Sequence, residues 1–146
     1  MIEVLGFNTV LSIAIISWAL AQFLKILICL IQYKKFDIGL MLSSGGMPSS
    51  HSSIVTSTAC AIGFENGFSS TIFALAVVIS LVVMYDASGV RRQAGLHAEL
   101  LNNIVKKIEA HDLDVTEDLK VLLGHTPIQV FAGALLGILV AVYVYI

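Results

Sequence analysis

The chain has 146 residues, of which 58% are hydrophobic and 12% are charged, with a net charge of −2 and a mean hydropathy of +0.93. A soluble domain carries about 45–50% apolar and about 25% charged residues, so the excess apolar surface predicts a protein embedded in lipid. The composition excludes a disordered chain and a nucleic-acid binder with a basic face. Cys29 and Cys60 lie in apolar runs, which argues against a disulfide-stapled secreted domain.

Uncharged runs predict four membrane-spanning helices, because about 20 apolar residues are needed to cross a bilayer. The expected spans cover residues 9–33, 49–64, 69–85 and 127–146. The second span starts at residue 49 because the glycine- and proline-containing stretch before it cannot form regular helix. The sequence therefore predicts an all-α integral membrane bundle that forms a single domain over residues 1–146.

Residues 86–124 form a polar segment between the third and fourth spans. Apolar or weakly polar residues recur in it at spacings of three and four, which predicts an amphipathic helix on the membrane surface or over the end of the bundle. They are Val90, Ala94, His97, Leu101, Ile104 and Ile108. All eight Lys and Arg lie within or beside residues 25–35 and 91–120, which four spans place on one side. The positive-inside rule makes that side cytoplasmic and both termini external.

A glycine-rich turn leads into the second span and ends at His51. Such a turn presents free backbone N–H groups beside the positive end of a helix dipole, which favours an anion such as phosphate. We expect Gly46, Ser49 and Ser50 to bind phosphate oxygens and His51 to donate a proton. The alternative is an ordinary capped helix with a histidine at the interface.

Ionisable residues near the same membrane face mark a site, because charges at membrane depth are costly. Lys25, Arg91 and Arg92 are the cations expected to hold a phosphate there. Lys25 can instead be a snorkelling anchor, and the arginines can bind anionic lipid head groups. Asp86 can pair with the arginines or orient a histidine.

The last span begins beside His125, which we expect to act as a nucleophile or a base. A spacing of four residues places Gln129, Gly133 and Gly137 on the same helix face as His125. The two glycines form a small-residue seam suited to close helix packing, and a homo-oligomer through it is possible.

The remaining histidines do not suggest a metal centre. His97 lies on the apolar stripe of the amphipathic helix, so we expect it to be packed rather than catalytic, and His111 has no assigned role. Four histidines with few nearby carboxylates and no cysteine cluster make a poor ligand set. We expect neither a metal nor a cofactor.

Three segments of the sequence resemble those of a known protein family. Pro48-Ser49-Ser50-His51 resembles the P-S-G-H motif of the type 2 phosphatidic acid phosphatases, relatives of the vanadium haloperoxidases. The wider strings SGGMPSSHS at 44–52, YDASGVRRQAG at 85–95 and LGHTPIQVFAGALLG at 123–137 are similar to the divergent branch of that superfamily. The resemblance extends from about Gln22 to Gly137.

The resemblance implies a phosphatase in which one histidine attacks phosphorus and a second protonates the leaving group. By position, Lys25 stands for the lysine of the first motif, although no Arg-Pro follows it. The resemblance implies that Ser49 binds phosphate, that Ser50 replaces the glycine and that His51 is the general acid. It also implies that His125 is the nucleophile that forms a phosphohistidine.

The third motif departs from the family pattern. Gln129 occupies the position of the Asp that orients the nucleophile, and Leu119 that of the Arg. Gln129 can still hold the imidazole by a hydrogen bond, and Asp86 is the best substitute for the missing carboxylate. An alternative assignment pairs Arg91 with His97 and also lacks the Asp.

The leading hypothesis is a metal-independent phosphomonoesterase that acts on a membrane lipid phosphate, such as a phosphatidate, a phosphatidylglycerophosphate or a polyprenyl phosphate. The expected partners are this lipid and the bilayer, without nucleic acid. Gln129 in place of the Asp favours an alternative, a non-catalytic anionic-lipid binder or carrier on the same scaffold. A third hypothesis is a structural membrane subunit.

Overall fold

The computed structural model describes residues 8–33, 46–109 and 124–146. These residues form helices, without a strand in the described ranges, which confirms the helical membrane bundle. The helices are α1 (Thr9–Tyr33), α2 (Ser50–Asn66), α3 (Thr71–Ser88), α4 (Val90–Glu109) and α5 (Pro127–Tyr145).

Three helical stretches of the described chain are long and apolar enough to cross a membrane. They are Thr9–Ile31, Thr71–Val105, which runs from α3 into α4, and Pro127–Tyr145. The helix at the second expected span, α2, has only 17 residues and is rich in Ser and Thr. This helix lacks the apolar surface of the other three.

Helix α2 occupies the centre of the bundle, where it packs against α1, α3 and α5. It runs parallel to α5: the Ser49 N–H donates to the Gln129 carbonyl at 3.0 Å near one end, and the Tyr145 hydroxyl donates to Glu65 at 2.9 Å near the other. The two helices therefore extend through the same depth. Because α2 is enclosed by protein on three sides, it does not need an apolar surface all round.

Hydroxyl groups of α2 join it to its neighbours. Ser17 Oγ of α1 lies 2.6 Å from Ser53 Oγ, and Thr56 Oγ1 donates to a backbone carbonyl of α5 at 3.1 Å. Ser80 Oγ of α3 donates to a backbone carbonyl of α2 at 2.9 Å. Such hydrogen bonds stabilise helix contacts inside a membrane, where a polar group has no water to bind.

The glycine seam of α5 packs against α2 of the same chain. A Cβ on Gly133 would overlap the carbonyl oxygen of Ser49, and a Cβ on Gly137 would overlap the hydroxyl of Thr56. Both glycines are buried, so the seam expected to join two copies is filled within one chain. A contact between copies would have to use another surface.

Helix α4 follows α3 after a break at Gly89. Within the described residues it packs against α3 and against no other helix. Its apolar stripe is therefore open: Leu101 and Ile104 are exposed. The expectation that His97 is packed is wrong for the described part of the chain, where its side chain is exposed.

Candidate functional site

Polar groups from four helices meet at the end of the bundle where α2 and α5 begin. The backbone holds these segments together, because the His125 N–H donates to the Ala87 carbonyl at 3.1 Å and the Ser49 N–H donates to the Gln129 carbonyl at 3.0 Å. The first bond ties the start of α5 to the end of α3. The second ties α5 to the start of α2.

The turn before α2 packs against Lys25. Ser49 is the N-cap of α2 and its Oγ accepts the Ser52 N–H at 3.3 Å; Ser49 and Ser50 are both buried. Gly46 has a φ of +90°, and a Cβ there would lie 3.0 Å from Lys25 Cγ. Glycine at this position therefore permits both the backbone conformation and the close approach to the lysine. The earlier part of the glycine-rich turn, residues 43–45, lies outside the described residues.

Lys25 is turned into the bundle. Its side chain is 2% exposed, although Lys25 lies eight residues before the end of α1, which is about 12 Å along the helix axis. Gln22, one turn earlier on the same helix face, is also buried. A buried cation beside a helix start is suited to hold an anion.

Two imidazoles stand together at the site. The ring centroids of His51 and His125 are 6.2 Å apart, with an interplanar angle of 61°. His51 is half-buried, whereas His125 is 1% exposed. Nδ1 of His125 lies 3.3 Å from Gln129 Oε1, and its buried Nε2 meets no hydrogen-bond partner among the described residues. His125 thus presents an unpaired ring nitrogen at the end of the bundle.

The surroundings of His125 favour its neutral form. Burial lowers the pKa of His125, and the charges of Lys25 and His51 lower it further. The hydrogen bond that the ring donates to Gln129 and the nearby backbone of Gly46 raise the pKa and oppose part of this effect. A neutral imidazole with a free nitrogen can act as a nucleophile or a base.

The other predicted site residues lie near these groups in the chain. Arg91 and Arg92 belong to the first turn of α4, but their side chains are outside the structural description, so the arginine clamp stays a prediction. Asp86 is half-buried and directly precedes Ala87 on α3. A carboxylate that orients His125 would have to accept a hydrogen bond from its Nδ1. This nitrogen faces Gln129 instead.

The backbone groups that assemble the site have no signature in the sequence. The carbonyls of Ala87 and Gln129 accept hydrogen bonds from segments distant in sequence, and no residue type signals such a contact. The serines of α2 did carry a signal. Ser49, Ser52 and Ser53 recur at spacings of three and four, which places hydroxyls on one buried side of that helix.

The fold and the site define an all-helical membrane protein with a lysine and two histidines gathered where two of its helices begin. The chain belongs to the divergent PAP2 family, whose sequence profile matches residues 7–140. It is also 42% identical over 130 residues to the uncharacterized membrane protein YuiD of Bacillus subtilis (strain 168), with 82% of each chain covered. No solved structure gives a match.

Proposed function

We propose that the protein is a metal-independent phosphomonoesterase that acts on a membrane lipid phosphate through a phosphohistidine. The observation that carries this proposal is the pairing of His51 and His125, with 6.2 Å between ring centroids, next to the buried Lys25. Two imidazoles at this separation can reach one phosphoryl group from different sides. Membership of the divergent PAP2 family supports a phosphatase-related scaffold.

In the first step His125 attacks phosphorus. The nitrogen lone pair forms the N–P bond, the ester P–O bond breaks, and the departing alkoxide takes a proton from His51. The N–H groups at the start of α2 and the charge of Lys25 stabilise the negative oxygens of the transition state.

In the second step water releases the phosphate. His51, now neutral, accepts a proton from the attacking water, the new P–O bond forms, and the N–P electron pair returns to His125. The enzyme returns to its starting protonation state.

A lipid phosphate suits the position of this site. The site lies at one end of the membrane-spanning helices, where head groups of a bilayer are found. The one-sided distribution of Lys and Arg supports a cytoplasmic position for this end, which would suit an intermediate of lipid biosynthesis.

One observation favours a second candidate, a non-catalytic binder or carrier of anionic lipids. Gln129 binds His125 with an amide, which cannot balance the positive charge of a phosphohistidine as a carboxylate would. The same cradle of backbone N–H groups and Lys25 would then bind the phosphate without turnover.

A phosphate-release assay on the purified protein separates the two candidates. Phosphatidate, phosphatidylglycerophosphate and polyprenyl phosphate are presented in mixed micelles with EDTA present, and His125→Asn serves as the matched inactive variant. We expect release by the wild type alone. No release from any of these lipids, together with saturable binding, would support the binder.

A further inference from the structure

An apolar groove runs along the bundle between α2 and α3. Its volume is about 190 Å³, and its walls include Val55, Thr58 and Ile62 of α2 and Leu75, Ala76 and Ile79 of α3. Leu75 and Ile79 are exposed although they line the groove. Because α3 belongs to a stretch that is long and apolar enough to cross a membrane, the groove opens toward lipid.

The two hydroxyl groups of the groove have no hydrogen left for a ligand. Thr58 Oγ1 donates to the Ile54 carbonyl at 2.7 Å. Ser80 Oγ donates to the carbonyls of Val55 and Ala76, at 2.9 and 2.8 Å. Because a hydroxyl carries a single hydrogen, both are used within the protein. The groove therefore offers a hydrocarbon surface, on which an ester or a head group would find no donor.

The groove begins one helical turn from His51. His51 and the three α2 residues of the groove follow one another at spacings of four, three and four, which places them along one helix face. Val55 lies about 6 Å from His51 along the helix axis, and Ile62 about 10 Å further. Helix α3 runs in the opposite direction, because Ser80 meets Val55 whereas Ala87 meets the start of α5. The groove thus leads from the candidate site into the depth of the membrane.

The proposed chemistry places the lipid on this side of the site. His51 protonates the departing alkoxide, so the oxygen that carries the lipid lies next to His51. In a glycerolipid phosphate, glycerol and an ester separate the phosphate from the hydrocarbon. In a polyprenyl phosphate the hydrocarbon begins directly at the phosphate oxygen. The gap of one helical turn between His51 and the groove therefore favours an acyl chain.

We propose that the groove between α2 and α3 binds one acyl chain of a glycerolipid phosphate whose phosphate lies at His51 and His125. This inference rests on the proposed function, because it uses the side from which the leaving group departs. Lipid tails are as apolar as the groove, so a chain gains little by entering it from the bilayer unless its head group is held. Occupation of the groove should therefore depend on the phosphate.

Photo-crosslinking of the full-length protein in lipid nanodiscs tests this dependence. A phosphatidate and a phosphatidylcholine carry the same photoactivatable group in the middle of one acyl chain. We expect the phosphatidate probe to label the groove peptides of α2 and α3 several-fold more strongly. Equal labelling would overturn the inference, because the groove would then be ordinary lipid-facing surface. Stronger labelling of the groove by a polyprenyl phosphate probe than by the phosphatidate would also overturn it.

A bulky side chain in the groove should exclude the acyl chain. Ala76→Phe fills the groove, and Ala74→Phe is the matched control, because Ala74 is exposed on the same helix and does not line the groove. We expect loss of the phosphatidate label in Ala76→Phe and the wild-type label in Ala74→Phe. Wild-type labelling in Ala76→Phe would contradict the inference. The comparison of probes uses the wild type alone, so it decides the question even if Ala76→Phe folds poorly.

Kinetics give a second readout. The ratio of kcat/KM for a long-chain phosphatidate to that for an activated aryl phosphate should fall several-fold in Ala76→Phe, whereas Ala74→Phe should keep the wild-type ratio. An unchanged ratio in Ala76→Phe would contradict the inference. Labelling needs no turnover, so its failure is distinguishable from a failure of the proposed phosphatase activity.

Discussion

Burial of His125 has a consequence for stability as well as for chemistry. Its pKa is lowered from the ordinary value of 6.5, so the unfolded chain binds this proton more readily than the folded protein. The free energy of unfolding should therefore fall as the pH drops below about 6.5, and the loss should stop below the folded pKa. Above that range the contribution is constant.

Thermal unfolding of wild type and His125→Asn between about pH 7.5 and pH 5 tests this sign. The wild type should lose more stability on acidification than the variant. His97→Asn, at an exposed position, should follow the wild type. Equal pH slopes for wild type and His125→Asn would contradict the lowered pKa.

The two site histidines should respond differently to substitution. His125→Ala should abolish turnover but preserve lipid binding, because Lys25 and the start of α2 are untouched. His51→Ala should slow substrates with poor leaving groups far more than an activated aryl phosphate, because a good leaving group needs no proton. Steady-state rates on both substrate types measure this.

His97→Ala is the control for that comparison, because the side chain is exposed on α4, which contacts only α3 among the described helices. Its rates should stay near those of the wild type. Loss of activity in His97→Ala with activity retained in His125→Ala would show that His125 is not the nucleophile.

The expected anion cradle predicts a ligand effect. Vanadate or phosphate should raise the melting temperature, because a ligand that binds only the folded state stabilises it. Replacing Arg91 and Arg92 by Gln should remove most of the shift, whereas Gln93→Leu, at an exposed position in the same helical turn, should preserve it. An unchanged shift in the double variant would mean that the arginines do not bind the anion.

The position of an individual side chain was predictable where helix periodicity determines which face of the helix carries it. The spacing of four between His125 and Gln129 places them on one side of a helix start, and their side chains are in contact. The direction of the Lys25 side chain was ambiguous, because a long side chain can snorkel to the interface or turn into the bundle. Only the packing of Gly46 against Lys25 selects the inward direction. The pairing of Ser49 with Gln129 joins segments 80 positions apart and leaves no periodic pattern.

At the scale of helices, the contact between α2 and α5 depends on glycine. Gly137→Ala should destabilise the protein by about 1–3 kcal/mol, because the added methyl overlaps the Thr56 hydroxyl and the Ser53 carbonyl in a packed interface. Leu139→Ala on the same helix is the matched control, since Leu139 is exposed. Denaturation in mixed micelles measures both, and equal stabilities would show that this interface is loosely packed.

The sequence predicted the helices more reliably than their roles. The absence of charge in residues 49–64 identified a helix there but could not show that its many hydroxyls face α1, α3 and α5 rather than lipid. Amphipathic periodicity identified α4 but not its partner. Periodicity records which residues share a face, whereas the surface that covers the face depends on tertiary packing.

At the scale of the whole molecule, the one-sided Lys and Arg distribution predicts the orientation in the membrane. In a variant with both native cysteines replaced by Ala, a cysteine at Asn66 should react with an impermeant reagent outside intact cells. A cysteine at Asp112, in a segment beyond the described residues, should react only after the cells are opened. The reverse pattern would place the site on the outer face.

The central claim is that His125 carries the phosphoryl group during turnover. Rapid quenching of the purified protein with an activated aryl phosphate, followed by digestion and mass spectrometry under alkaline conditions, should find phosphate on the peptide that contains His125. The modification should be labile in acid and missing from His125→Asn. Phosphate on another residue, or phosphate release by His125→Asn at the wild-type rate, would contradict the account.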